Sequence, residues 1–214
     1  MEERNITISL AKAREWFNSG NAALREVALQ AFDKDELTYN FKNITTFKEA
    51  CEALGLNYDD MFYITKNIAT ISKASAAMFK LNIIRKALNL GQDLHLTKHP
   101  KDSYIYYPYN PFVTKSSTYY KSEINSGKME VIGKIKSEGE EYNVLGGSAT
   151  YGGDAGLGYF YSYSGVGGAF TDVGFLGCAN KKIAKHFGKY FGMLITEAKY
   201  ADKDFEVIES KYII

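Results

Sequence analysis

The chain has only two cysteines, three prolines, one tryptophan and three histidines in 214 residues. Cys51 and Cys178 are too few for a disulfide framework or a cysteine-rich zinc module. Charge is nearly balanced, 26 Lys+Arg against 25 Asp+Glu for a net +1, so there is no field to steer nucleic acid or an anionic membrane surface. Every apolar stretch is too short, or too interrupted by lysine, to span a bilayer, and membrane insertion is not expected. The opening MEERNITISL has no apolar run after its charges and does not read as a signal peptide. The expectation is a soluble chain made in the cytoplasm, whose 45% hydrophobic residues suffice for a core.

What is present is unevenly spread. Thirteen of the 19 glycines fall between Gly146 and Gly192. Tyr142 to Asn180 contains no Lys, Arg, Glu, Gln, Met or Trp, and its only charges are Asp154 and Asp172. The first ninety residues are instead rich in Lys, Glu, Ala and Leu. This contrast divides the chain near residue 92, where Gly91 closes a helical pattern and His95 to Pro111 is turn-like and aromatic.

Residues 1–92 are helical by period. Ser9 caps a helix carrying Leu10, Ala13, Trp16 and Phe17, stopped by Asn18-Ser19-Gly20. Asn21 opens a second with Leu24, Val27, Ala28 and Ala31 on one face. Thr46 caps a third, with Glu49 at the capping-box position, Phe47, Ala50, Cys51 and Leu54 inward, and an end at Gly55. A long helix runs from about Ser72 to Asn89 with Ala76, Phe79, Leu81, Ile83, Ile84 and Leu88. The exposed faces mix both signs and no helix concentrates Arg and Asn, so a docking or support module is favoured over a DNA reader.

Residues 93–214 change period. Tyr104 to Tyr109 is aromatic and β-prone but broken by Pro108, with Pro111 close behind, which implies an edge strand or ordered loop. Met129 to Lys136 alternates as a half-buried strand, Gly139 makes a turn, and Glu141 to Leu145 returns as the second arm of a hairpin. After a long glycine-rich span, a helix runs from Asn180 to about Lys199 with Ile183, Phe187, Phe191, Leu194 and Ile195 inward.

Val144-Leu145-Gly146-Gly147-Ser148, the Gly/Tyr/Ser-rich span, and Val173-Gly174-Phe175-Leu176 together resemble the C-terminal signature of the C-type-lectin-like fold in its formylglycine-generating-enzyme branch. That branch includes the variable proteins of diversity-generating retroelements, whose ligand-binding face is rewritten by adenine-specific mutagenesis. The resemblance covers roughly forty residues. It departs from the family pattern at Ala149, where the family has Trp, at Leu176, where it has Arg, and in the helix that follows the Gly-Phe strand. The whole chain is also similar in pattern to uncharacterised proteins of gut Bacteroidetes and their phages. Formylglycine-generating chemistry needs a pair of copper-binding cysteines; with Cys178 alone in this region, that activity is not implied.

The residues themselves argue beside the resemblance. Mutating the adenines of an AAC or AAT codon yields Tyr, Ser, Asp, Gly, Ala, Thr or Phe, but never Lys, Glu, Gln, Met or Trp. Ala149-Thr150-Tyr151-Gly152-Gly153-Asp154, Tyr159, Tyr161-Ser162-Tyr163-Ser164 and Ala169-Phe170-Thr171-Asp172 lie wholly inside the reachable set. Between them, Ala155-Gly156-Leu157-Gly158, Gly165-Val166-Gly167 and Val173-Gly174-Phe175 read as scaffold. Binding surfaces select the same palette on energetic grounds: tyrosine gives rigid contact area with a polar tip, and serine and glycine adapt. The expected ligand-binding residues are Ala149, Thr150, Tyr151, Asp154, Tyr159, Tyr161, Ser162, Tyr163, Ser164, Phe170, Thr171 and Asp172. The alternative is a glycine-rich β region whose tyrosines merely cover a sheet.

No catalytic constellation emerges. His95 and His99 stand four apart, as metal ligands do on a helix, but Pro100 disfavours a helix there and only Asp93 and Asp102 supply carboxylates nearby. His186 falls beside Phe187 on the last helix, where a packed or solvent-edge histidine is commonest, and Cys178 is expected to be buried. Gly146-Gly147-Ser148 lacks the Gly-Lys-Ser/Thr ending of a phosphate loop, and no apolar-period helix follows Gly165-Val166-Gly167-Gly168-Ala169. Asp154 and Asp172 are too few for a calcium shell. No metal, no cofactor and no enzymatic activity are expected.

The reading is an α+β protein: a helical docking or support module (1–92), then a β-rich, C-type-lectin-like module with a C-terminal helix (93–214) that presents Tyr/Ser/Gly loops to a protein or carbohydrate receptor. Recognition without chemistry is the expected function. It suits a phage-encoded receptor-binding protein released by lysis, with virion attachment or self-association through the helical module. The alternative is a phage assembly protein whose Gly-rich half forms a subunit interface.

Overall fold

A computed structural model describes residues 8–90, 105–118, 120–147, 149–152, 176–203 and 205–212, and they form a mixed α+β structure. Helices α1 (Leu10–Asn18), α2 (Ala22–Ala31) and α3 (Lys34–Leu37) pack around Ala13, Ala28 and Leu37. Ser9 caps α1 by accepting from the Lys12 amide, and Asn21 caps α2 by accepting from Ala23 and Leu24. Only Ala28 of the apolar residues expected on the inner face of α2 is fully buried; Val27 remains 41% exposed. The cluster is too small to cover a whole helix face.

A 3-10 turn at Phe41–Asn43 leads into α4 (Phe47–Ala53), whose boundaries are written in its caps. The Thr46 hydroxyl accepts from the Glu49 amide and the Glu49 carboxylate accepts from the Thr46 amide, a complete capping box. At the other end Leu56 N donates to Cys51 O and Gly55 N to Glu52 O, the paired bonds of a Schellman stop. Helix α5 (Tyr58–Ala69) and α6 (Lys73–Leu88, capped by Ser72) then form an antiparallel hairpin. Ser72 Oγ donates to Asp202, which also accepts from the Ala74 amide, so a carboxylate from beyond the last helix sits at the start of α6.

The remaining elements are β1 (Ile105–Pro108), β2 (Phe112–Thr114), α7 (Lys121–Asn125), β3 (Glu130–Ser137), β4 (Glu140–Gly146), β5 (Ala149–Gly152), α8 (Lys181–Tyr200) and β6 (Glu206–Ser210). Strands β2, β4, β3 and β6 make an antiparallel sheet in that order, while β1 and β5 pair separately. The β3–β4 hairpin turns on Glu138 and Gly139, both at positive φ (51° and 82°), as a two-residue turn matching strand twist requires. Helix α7 and its flanks cover one end of the sheet through a cluster of Val113, Met129 and Leu145 with Tyr120 and Ile124 packed against it.

Helix α8 is the hub. Its Ile183, Phe187, Phe191, Leu194 and Ile195 join Leu81, Ile84 and Leu88 of α6 and Phe47 and Cys51 of α4 in one buried cluster. The two segments divided at residue 92 thus contribute to a common core, and the division itself falls within 91–104, outside the described residues. Another side of α8 meets the sheet, with Met193 against Ile132, Ile135 and Val144. The approach is close enough that a Cβ on Gly192 would collide with Ile132 and with the Asn110 amide.

Candidate functional site

The twelve residues expected to bind ligand divide sharply. Ala149, Thr150 and Tyr151 form most of β5, in antiparallel register with Pro108, Tyr107 and Tyr106. Asp154, Tyr159, Tyr161, Ser162, Tyr163, Ser164, Phe170, Thr171 and Asp172 lie outside the described residues, as do His95 and His99.

The frame on which that span is mounted is described on both sides. At its N-terminal end, Gly152 is paired with Ile105 of β1. At its C-terminal end, Cys178 bridges to Tyr106 on the other side of the same strand: Cys178 N donates to Tyr106 O at 2.7 Å and Tyr106 N to Cys178 O at 3.1 Å. Strand β1 therefore has neighbours on both flanks at Tyr106, whereas the sequence implied an edge strand or an ordered loop. Neighbouring strands lie about 4.8 Å apart, so the two anchors stand on the order of 10 Å from one another.

Asn89, the C-cap of α6 and 95% buried, locks the second anchor. Its Nδ2 donates to Arg85 O at 2.8 Å and Gly177 O at 3.2 Å, and its Oδ1 accepts from Ala179 N at 2.8 Å. One side-chain amide thus ties the two backbone groups flanking Cys178, Gly177 O and Ala179 N, to the helix-end carbonyl of Arg85, which also accepts from Asn89 N. Asn110 does the same for the sheet, its Nδ2 donating at 2.8 Å to both Leu145 O and Gly188 O, so β4 and α8 are tied just before Ser148. Neither asparagine stood out in the sequence. The signal was faint: Asn89 ends a helical pattern and Asn110 lies between two prolines.

The end of the sheet from which Gly146 departs carries a charged knot. Glu130 accepts from Lys189 Nζ at 2.8 Å, from Tyr212 Oη at 2.8 Å and from Lys211 Nζ. Burial works to raise the Glu130 carboxyl, but these bonds overcome it and bring it down to about 2. Rings continue the contact, Tyr212 to Tyr190 at 4.8 Å, Tyr190 to His186 at 4.5 Å and His186 edge-on to Phe41 at 5.4 Å. His186 Nε2 lies 2.7 Å from Ile44 O, the distance of an N–H donating to a carbonyl. Burial pulls this histidine below its ordinary value, although the carbonyl opposes the shift. It is a half-buried group packed between Phe41 and Tyr190.

Cys178 is wholly buried and burial pushes its thiol up to about 12; Cys51 is buried likewise and pushed to about 11. Both thiols stay protonated at neutral pH and are poor nucleophiles. Among the described residues no group of three or more His, Cys, Asp or Glu side chains is placed to hold a metal ion. No helix among them is long and apolar enough to cross a membrane.

Comparison with known proteins returns no matching family, no matching curated protein and no matching solved structure.

Proposed function

We propose that this chain is a non-catalytic ligand-binding protein whose recognition surface is the Tyr/Ser/Gly/Asp-rich span from Ala149 to Asp172. The finer fold assignment is that residues 93–214 follow the C-type-lectin-like plan of retroelement-diversified proteins, with the helical residues before them as support. Recognition then works by tyrosine rings stacking on a sugar face or seating in a protein pocket, with hydroxyls and backbone supplying hydrogen bonds. The setting that suits it is a phage-encoded receptor-binding protein.

One observation carries the reading: both ends of the span are fastened to β1, through Gly152 opposite Ile105 and Cys178 opposite Tyr106, with Asn89 locking the second. Binding segments are typically mounted this way, with the ends held by a packed scaffold and the residues between free to be chosen for contact. The composition supports it, because Tyr142 to Asn180 excludes Lys, Arg, Glu and Gln while retaining Tyr, Ser and Gly.

Two experiments test it. The first screens the full chain against an immobilised glycan panel and intact gut Bacteroidetes cells, beside a variant with Tyr159, Tyr161 and Tyr163 all changed to Ser. Binding by the parent and its loss in the variant is the expected result; equal binding by both overturns the assignment. The second sequences the 3′ half of the gene deeply from its natural population. Substitutions confined to positions 149–154, 159–164 and 169–172, at template adenines, are expected, and a flat distribution removes the retroelement proposal.

A further inference from the structure

Among the described residues, the outer side of α5 packs against no other element. On α5 only Tyr58, Met61, Thr65 and Ile68 are withdrawn from solvent. The rest of the helix shows Phe62 at 49%, Tyr63 at 66% and Ile64 at 38% exposure, and Ile71 in the turn beyond it is 90% exposed. Three large apolar side chains in succession on a solvent-facing helix, with a bare isoleucine at its end, are more than the scattered exposure of ordinary surfaces. Asp59 and Asp60 in its first turn and Lys66 in its last are also exposed. None of the three forms an ion pair among the described residues.

We infer that α5 is a self-association surface, occupied by α5 of a second copy of this chain running antiparallel across a two-fold axis at Tyr63. A two-fold interface must be self-complementary, each residue meeting its counterpart's partner. At 100° per residue, Asp59 and Lys66 lie about 40° and 60° to the same flank of Tyr63, one toward each end of the helix. In an antiparallel pair, residues on the same flank at opposite ends face one another. Asp59 of each copy therefore meets Lys66 of the other, twice per dimer. Tyr63 meets itself on the axis, Phe62 lies farther round the charged flank, and Ile64 lies on the opposite one. A parallel pair would instead bring opposite flanks together and set Asp59 against Asp60 of the other copy, like charge against like, so the charge order selects the antiparallel one. Dimerisation through this face would double the number of binding spans on one particle, but it does not depend on their function.

Sedimentation velocity of the full chain, from about 5 to about 500 μM, reads the association directly; a single helix pair is a small contact, so weak affinity is expected. Tyr63→Glu, which puts like charges on the axis, abolishes the dimer. Asp59→Lys and Lys66→Asp each create two like-charge contacts and weaken self-association on the order of tenfold or more. The deciding sample is an equimolar mixture of those two single variants. In its heterodimer one copy carries lysine at both positions and the other carries aspartate at both. Each of the two contacts then joins opposite charges, so association returns toward the parent's. Recovery also shows that each variant is folded. A parent that stays monomeric throughout, a dimer untouched by Tyr63→Glu, or a mixture no tighter than its components overturns the inference, and points to a different protein or another face as the partner of α5.

Discussion

Helix α8 and the span before it are neighbours in sequence and of similar length, yet they are built on opposite rules. Ten of the 20 residues of α8 are buried, and the helix packs against α6, against the sheet and against Tyr212, with Lys181, Lys182 and Lys185 left to solvent. Its apolar residues recur at helical spacing because each must reach the core. The span 149–172 has one leucine, one valine, no isoleucine and no methionine, and no regular apolar period. Aliphatic side chains are what a core selects, and tyrosine among small residues is what a contact surface selects. Under the proposed function, the difference in composition separates residues chosen for packing from residues chosen for contact.

That separation is broken most severely at the hub. Phe187→Ala removes a wholly buried ring packed edge-on against Phe191 at 5.9 Å. It should cost about 3–5 kcal/mol in chemical denaturation. Asn89→Ala strikes the joint between the two regions. It strips the buried partner from Gly177 O and Ala179 N and should cost about 1–3 kcal/mol. Faster hydrogen exchange at Ala179 would locate the effect. An unchanged midpoint would mean that Asn89 does not hold the anchor.

His186 sharpens the comparison through pH. Its folded value is depressed below 6.5, so the unfolded chain binds its proton more readily. The contribution is present above 6.5 and is lost as pH falls through the depressed folded value. His186→Gln, which keeps a donor near Ile44 O, should flatten that segment of a stability-against-pH curve, and a parallel curve would assign the slope elsewhere. The smallest effect is expected at the hairpin, where Glu138 holds φ 51° at a position that favours Asn or Gly. Glu138→Asn should raise stability by a few tenths to about 1 kcal/mol.

Much of the scaffold was legible because its signals are local. Ser9, Asn21, Thr46, Ser72 and Asn180 all cap the helices they precede, and Glu49 closes its capping box. The inward face of α8 is buried as its period implied, and the hairpin of β3 and β4 turns where Gly139 placed it. Helix α5 was not legible. Its aromatic and β-branched residues have poor helix propensity, and with Phe62, Tyr63 and Ile64 exposed it lacks a single apolar stripe. Strand β6 was hidden for the converse reason, since all five of its residues are exposed and only pairing with β3 makes it a strand. The frame of the candidate site depends on pairings across long separations, Tyr106 with Cys178 and Asn89 with Gly177 and Ala179, which no local pattern encodes.

The central claim, that the tyrosines of the span serve contact and not the core, is tested most directly by thermal unfolding of the variant with Tyr159, Tyr161 and Tyr163 changed together to Ser. A midpoint within about 2 °C of the parent, on a scale where 1 kcal/mol moves a domain of this size by about 2–4 °C, is the expected result. A fall comparable to that of Phe187→Ala would show that these rings are part of the core, and would contradict the account.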